Sequence, residues 1–336
     1  MLQQSAHTDT GISVSQCPMK KINSVSDNIL DYIKKKLIEK YPDEKPFRAF
    51  HAKCIGLVTA EVKRLDNLDE DLKVGLFKSD ETYKAWIRFS NGSGKIAPDG
   101  EKGARGMAIK ILNVTSDQFL DPDPEGKTQD IILFTSRTHL PNTVSKQVVV
   151  PRVVLGTGIE KLWAILMGLP KKLRLVRIFR KGQFKTPNIL EEAYFSATPY
   201  AFGERKIKWE VWPLKTITST MPPNPGYNFL TKKLIADLSV KGKEQIKFGL
   251  FVRFHEKEET EPIEDPSVEW KTERCQVAII TIPKQQDIDT ADRALLDKNM
   301  SFSPGHSMKE HEPLGDVNMI RRKVYGALAK ERREHS

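Results

Sequence analysis

A tyrosine near the carboxyl end of the chain lies between two arginines at positions that a helix would bring to one face. Arg321, Tyr325 and Arg332 recur at i, i+4 and i+11 within the stretch 316–332, and a rotation of about 100° per residue places them within a narrow wedge. A guanidinium beside a phenol favours the phenolate, which is a hard anionic ligand for ferric iron. The alternative is a basic helix with one packed tyrosine, because R-x-x-x-Y alone is a weak motif.

Three short motifs nearer the amino end carry side chains suited to proton transfer and anion binding. Residues 48–53 read RAFHAK, residues 88–90 read RFS and residues 105–110 read RGMAIK. A neutral imidazole such as that of His51 can accept and return a proton, and arginine binds carboxylates through two parallel hydrogen bonds. The alternative for His51, taken alone, is an ordinary packed histidine. The alternative for each arginine is an ordinary surface residue.

These motifs, in this order, resemble the catalase superfamily. R-x-x-H-A-K, an apolar strand ending in R-F-S, R-G-x-A-x-K, and R-x-x-x-Y with an arginine seven residues later extend from about Phe47 to Arg332. The pattern is most similar to the short catalase-related haem proteins, the mini-catalase and allene oxide synthase-like branch. The resemblance implies an α+β fold, in which helices flank a central antiparallel β-barrel of about eight strands, and a buried haem b.

The resemblance also implies roles for the residues on either side of the iron. His51 would be the catalytic residue that takes the proton from an incoming hydroperoxide and returns it as the O–O bond breaks. Ser90 would orient its ring through a hydrogen bond. Tyr325 would bind the iron, as tyrosine does in some haem proteins, and Arg321 would pair with its phenolate.

Three further arginines match those that hold the haem propionates in the family, namely Arg48, Arg88 and Arg332. Arg88 is the least ordinary of them because it interrupts an apolar run in 86–89. Arg105, in the third motif, is expected to be structural.

One position departs from the family pattern. The family has an asparagine before the apolar strand that follows R-G-x-A-x-K, and aligning Ile131–Phe134 with that strand puts Thr128 in its place, or Gln129 after a one-residue slip. A threonine hydroxyl donates over a shorter reach than an amide. Phe50, which is bulkier than the usual residue, and Cys54, where glycine is common, also differ from the family pattern. These changes favour a fatty-acid or other organic hydroperoxide as substrate; the alternatives are hydrogen peroxide and a haem-binding protein without catalysis.

The composition is that of a globular protein with an excess of basic residues. The 336 residues carry a formal net charge of +10, which favours contact with anionic surfaces. No nucleic-acid recognition motif is present, so we expect no nucleic-acid partner. Three scattered cysteines predict neither a disulfide framework nor a zinc site, and with no signal-peptide pattern they indicate a cytoplasmic protein. The sequence leaves the oligomeric state open, with a homodimer as one expectation.

Hydrophobic periodicity predicts the elements that must position these residues. A loose arm over 1–22 precedes a single domain over 23–336, and the sequence ends too soon after the tyrosine helix for the C-terminal domains of long catalases. Helices are predicted at 26–41 and 316–332. Strands are predicted at 56–63, 83–90, 106–112, 130–134, 207–213, 245–254 and 275–282. The stretch 171–181 combines basic and apolar residues, which predicts either a helix on an anionic membrane or an ordinary surface helix.

Overall fold

The computed structural model describes residues 18–40, 48–94, 96–139, 147–160, 184–215, 218–240 and 245–334. The strands in these ranges are β1 (Cys54–Arg64), β2 (Thr82–Asn91), β3 (Arg105–Leu112), β4 (Thr128–Phe134), β5 (Tyr194–Phe195), β6 (Tyr200–Phe202), β7 (Arg205–Pro213), β8 (Ile246–Phe254) and β9 (Arg274–Ile282). The helices are α1 (Pro18–Lys40), α2 (Val149–Leu155), α3 (Phe229–Leu238), α4 (Ala291–Asn299) and α5 (Asp316–Glu334).

The strands form a closed antiparallel barrel. Strand β1 pairs with both β2 and β9, and β5 pairs with both β4 and β7, so eight strands close in the order β1-β2-β3-β4-β5-β7-β8-β9. Strand β6 adds to β7. The predicted α+β fold with a central barrel of about eight strands and flanking helices is therefore confirmed.

A row of β-branched side chains crosses four neighbouring strands inside the barrel. Val58 lies opposite Ile87, Ile87 opposite Ile109, and Ile109 opposite Ile131. All four are 0% exposed. Branched side chains pack well on a pleated surface, and since a one-residue slip would move them to the other face, this row sets the register of the strands that reach the site.

Helix α1 packs along α5 and completes a second apolar cluster outside the barrel. Ile29 and Ile33 of α1 contact the cluster that Ile320 and Val324 of α5 share. Helix α1 begins at Pro18, so residues 18–22, which we had predicted to belong to the arm, form its first turns; residues 1–17 lie outside the described residues. The packing of α1 on α5 contributes to the position of the tyrosine-bearing helix.

The seven predicted strands are all present, with ends displaced by a few residues. Strands β5 and β6 have two and three residues, too few for an alternating pattern to be visible in the sequence. The basic stretch 171–181 lies outside the described residues. Among the helices described, none combines the length and the apolar character needed to cross a membrane.

Candidate active site

A cavity of about 300 Å³ lies between strands β2, β3 and β4 and helices α1, α2 and α5. Its walls are mostly apolar. Six of the seven predicted site residues line it, namely Arg48, His51, Arg88, Arg321, Tyr325 and Arg332. The fold therefore brings together residues from opposite ends of the chain.

His51 precedes β1 and is fixed by its backbone and by its ring. Its φ of 53° is unusual for a residue with a side chain, and Nη1 of Arg88 donates a hydrogen bond to its carbonyl oxygen at 3.0 Å. The ring atom Nδ1 lies 3.0 Å from Oγ of Ser90, as the resemblance implies. Nε2 has no hydrogen-bond partner among the described residues, so it is left for a ligand in the cavity.

Gly106 makes room for this arrangement. A Cβ atom at this position would lie 2.5 Å from Nδ1 of His51 and 2.6 Å from Oγ of Ser90, distances at which one of the two must move. The glycine of the R-G-x-A-x-K motif is therefore required by the close approach of β3 to the histidine.

The surroundings of His51 keep its imidazole neutral. Burial, together with the positive charges of Arg88, Arg321 and Arg48, lowers the pKa of His51 to about 4. A neutral imidazole is present at physiological pH, with one nitrogen held by Ser90 and the other able to accept a proton.

Three guanidinium groups meet at one end of the cavity. Arg88 pairs with Asp297 of α4, Nε to Oδ1 at 2.6 Å, and Arg48 approaches the same carboxylate at 3.4 Å. Arg48 and Arg332 both donate to the carbonyl oxygen of Met300, at 2.7 and 3.0 Å. Burial and the neighbouring Arg88 lower the pKa of Arg48 to about 9, which is the mark of a positively charged region that favours an anion.

Tyr325 lies one helical turn after Arg321, and the two side chains are in contact. The guanidinium carbon of Arg321 lies 5.6 Å from the centroid of the Tyr325 ring. Nη1 of Arg321 also donates to Oγ1 of Thr198 at 2.8 Å and to Oδ1 of Asn318 at 3.0 Å. Burial lowers the pKa of Arg321, but the phenols of Tyr325 and Tyr200 outweigh it and raise the pKa. The positive charge of Arg321, which would stabilise a phenolate at Tyr325, is therefore held in position by these hydrogen bonds.

Thr128 does not reach the cavity, which corrects the prediction made for it. It is the first residue of β4, whereas the cavity is lined by Ile132, Leu133 and Phe134, which lie about 13 to 20 Å further along the strand at 3.3 Å per residue. Its hydroxyl donates to Oδ2 of Asp123 at 2.6 Å. The apolar run Ile131–Phe134, which we aligned with the family's strand, is the part of β4 that reaches the site. It contributes apolar side chains there.

The partner of Thr128 belongs to a buried charge cluster beside the site. Asp123, Asp130 and His306 place potential metal-ligand atoms within 4.8 Å of one another. However, the buried ammonium of Lys110 pairs with both carboxylates, so a cation already occupies the centre. The cluster is therefore a network of ion pairs, and it fixes the loop that carries Phe302 to the cavity wall.

His139 is a cavity residue that the sequence did not reveal. It follows β4 in a segment without periodicity, and it lines the cavity with an imidazole whose pKa burial and Arg321 lower to about 3. No motif contains it. Only its position five residues after a buried strand could have drawn attention to it.

Solved structures similar to this one include catalases. A fungal catalase matches with a TM-score of 0.64 and 16% identity, covering 89% of this chain and 62% of its own. Catalase A from Saccharomyces cerevisiae gives 0.65 and 14%, covering 89% and 64%, and a bacterial catalase gives 0.67 and 14%, covering 91% and 60%. No family model and no curated protein matches the sequence. The chain therefore has the catalase fold and spans about three fifths of the length of these neighbours.

The residues that face the cavity fit a haem. The guanidinium groups of Arg48, Arg88 and Arg332 converge where Asp297 supplies one carboxylate, and the two carboxylates of a haem would offset the remaining positive charge. A phenol held by a guanidinium lies in the same cavity. Arginines that can bind carboxylates, a tyrosine that could ligate iron and a neutral histidine form a donor set suited to an iron porphyrin.

Proposed function

We propose that the protein is a haem-dependent enzyme that metabolises peroxides, with haem b in the cavity between β2–β4 and α5. One observation carries the proposal: His51, Tyr325 with Arg321, and the cluster of three arginines line a single, largely apolar cavity. The catalase fold supports it. The identity to those neighbours is low, so the function rests on this chain's own residues.

The proposed roles follow from the geometry of the side chains. Arg48, Arg88 and Arg332 would hold the propionates, and Tyr325 would bind the iron while Arg321 stabilises its phenolate. Bound haem would supply the ferric iron at which the O–O bond of a peroxide is cleaved.

His51 would handle the proton of that peroxide. Its Nε2 accepts the proton from the hydroperoxide oxygen, and the imidazolium then returns it to the oxygen that leaves. Ser90 keeps the ring in one orientation by its contact with Nδ1, so the accepting nitrogen faces the cavity. Burial of the site strengthens these hydrogen bonds by excluding water.

An organic or fatty-acid hydroperoxide is the substrate that the cavity wall favours. Met107, Ile132, Leu133 and Phe134 contribute apolar surface, and burial of an alkyl chain against such surface contributes about 25 cal/mol per Å². Thr128 does not supply a hydrogen bond to the ligand. Hydrogen peroxide, which gains nothing from an apolar wall, is the second candidate substrate.

The test is the visible spectrum of the protein expressed with ample haem, beside Tyr325→Phe. We expect a Soret band and ferric high-spin bands in the wild type, and a shifted or weakened band in the variant, because the phenolate ligand is lost. Tyr227→Phe is the matched control, since Tyr227 is exposed and donates to the carbonyl of Ile96. A wild-type protein that stays colourless after haem is added contradicts the proposal.

The substrate is tested separately on the haem-loaded protein. Turnover of a fatty-acid hydroperoxide and of cumene hydroperoxide is compared with that of hydrogen peroxide at equal concentration. We expect a higher kcat/KM for the two organic peroxides. A Soret band without turnover of any of the three peroxides would indicate a haem carrier in place of an enzyme.

A further inference from the structure

The end of strand β4 places His139 beside the His51 face of the cavity. Phe134, the last residue of β4, lies opposite Gly106 of β3, and Gly106 is the residue that touches His51 and Ser90. The ring of His139 packs edge-on against Phe134, with ring centroids 5.9 Å apart. These contacts link His139, through Phe134 and Gly106, to the part of the cavity wall next to His51.

The backbone of His139 is anchored, but its ring is not hydrogen-bonded. The backbone nitrogen donates to the carbonyl oxygen of Pro266 at 2.9 Å. Nδ1 is buried and has no hydrogen-bond partner among the described residues, and the structure gives none for Nε2 within those residues either. Because Nδ1 has almost no accessible surface, Nε2 is the ring nitrogen left for a polar ligand in the cavity that His139 lines.

His139 is also neutral, which decides what it can do. Burial and the charge of Arg321 lower its pKa to about 3. A neutral imidazole carries one N–H donor and one acceptor nitrogen. It can thus donate one hydrogen bond to a bound peroxide without carrying a charge into an apolar wall, where a charge would be costly.

We propose that His139 is the second hydrogen-bonding residue on the His51 side of the cavity, and that it donates to the peroxide as His51 accepts its proton. It would supply the contact that the sequence had assigned to Thr128. This inference rests on the proposed function, since it requires a ligand at the iron.

The experiment measures cyanide binding to the ferric, haem-loaded protein by the shift of the Soret band. Wild type is compared with His139→Leu, which fills the site without a polar atom, and with His139→Gln, which keeps an N–H donor. We expect cyanide affinity to fall about tenfold in His139→Leu, the size of one hydrogen bond, and to be largely restored in His139→Gln. His255→Leu is the control, because His255 lies outside the cavity and pairs with Glu258.

The outcomes separate this inference from the proposed function. An unchanged cyanide affinity in His139→Leu, with a normal Soret band, overturns the role of His139 and leaves the haem enzyme standing. A wild type without a Soret band overturns both. If His139→Leu fails to fold, His139→Phe replaces one ring by another, and a cyanide affinity equal to that of wild type in this variant overturns the role.

Discussion

At the scale of single residues, the protonation of His51 sets the pH range of the proposed reaction. Its pKa of about 4 leaves the imidazole neutral above that pH, so kcat/KM for a hydroperoxide is expected to be flat from pH 8 to about 5 and to fall below. His51→Gln is expected to lower kcat/KM by at least about a hundredfold. A profile that falls near pH 6.5, where an ordinary imidazole titrates, contradicts a buried neutral His51.

The same histidine links pH to stability. In the unfolded chain its pKa is near 6.5, and in the folded protein it is about 4. As the pH falls from 6.5 to 4, the unfolded state therefore binds the proton first, and the free energy of unfolding decreases. Urea unfolding at pH 7 and pH 5 is expected to show a smaller loss of stability in His51→Gln than in the wild type. An equal loss in both proteins would contradict this linkage.

Asp297 is expected to matter most when no haem is bound. Burial raises its pKa, but Arg88 and Arg48 outweigh this and hold it at about 2. Asp297→Asn leaves buried guanidinium groups without their carboxylate, which costs about 3 kcal/mol or more. In the haem-loaded protein, propionates would offset those charges. Urea unfolding is therefore expected to show a larger destabilisation of the haem-free than of the haem-loaded variant, and equal destabilisation would contradict propionate binding here.

At the scale of elements, Gly106 of the site and Gly326 on the exposed face of α5 have opposite requirements. Gly106 of β3 has no room for a Cβ beside His51, whereas Gly326 of α5 is exposed and has nothing within 4 Å. Gly106→Ala is expected to destabilise the protein by about 1–3 kcal/mol and to displace His51. Gly326→Ala is expected to stabilise α5 by about 0.5–1 kcal/mol. Thermal unfolding measures both, and a destabilised Gly326→Ala contradicts the open surface at this helix.

The elements also show what the sequence could and could not predict. Periodicity located the long strands and α5, because half-buried elements impose a pattern on their own residues. Periodicity could not show that Thr128 lies away from the cavity, because a continuous apolar run such as Ile131–Phe134 has the same pattern in any buried strand. His139 and Asp297 acquire their roles from packing between segments distant in the sequence. Such contacts leave no local periodicity.

At the scale of the whole molecule, the net charge of +10 predicts attraction to anionic membranes, from which a fatty-acid hydroperoxide would be delivered. The stretch 171–181 is the sequence's candidate for this contact. Binding of the full chain to vesicles of phosphatidylglycerol and phosphatidylcholine is expected at low salt and is expected to weaken at 0.5 M salt, since screening shortens the reach of charge to about 3–5 Å.

A charge-matched pair of variants separates a specific segment from net charge alone. One variant changes Lys171, Arg174 and Arg177 to Gln, and the other changes three exposed lysines outside the segment, Lys84, Lys127 and Lys271, to Gln. Both lose three positive charges, so a difference between them reports on location. At about 1 kcal/mol per basic residue at the surface, the first variant is expected to bind vesicles up to about a hundredfold more weakly than the second. Equal binding by the two variants would mean that only the overall charge draws the protein to the membrane, and that 171–181 has no special part in substrate delivery.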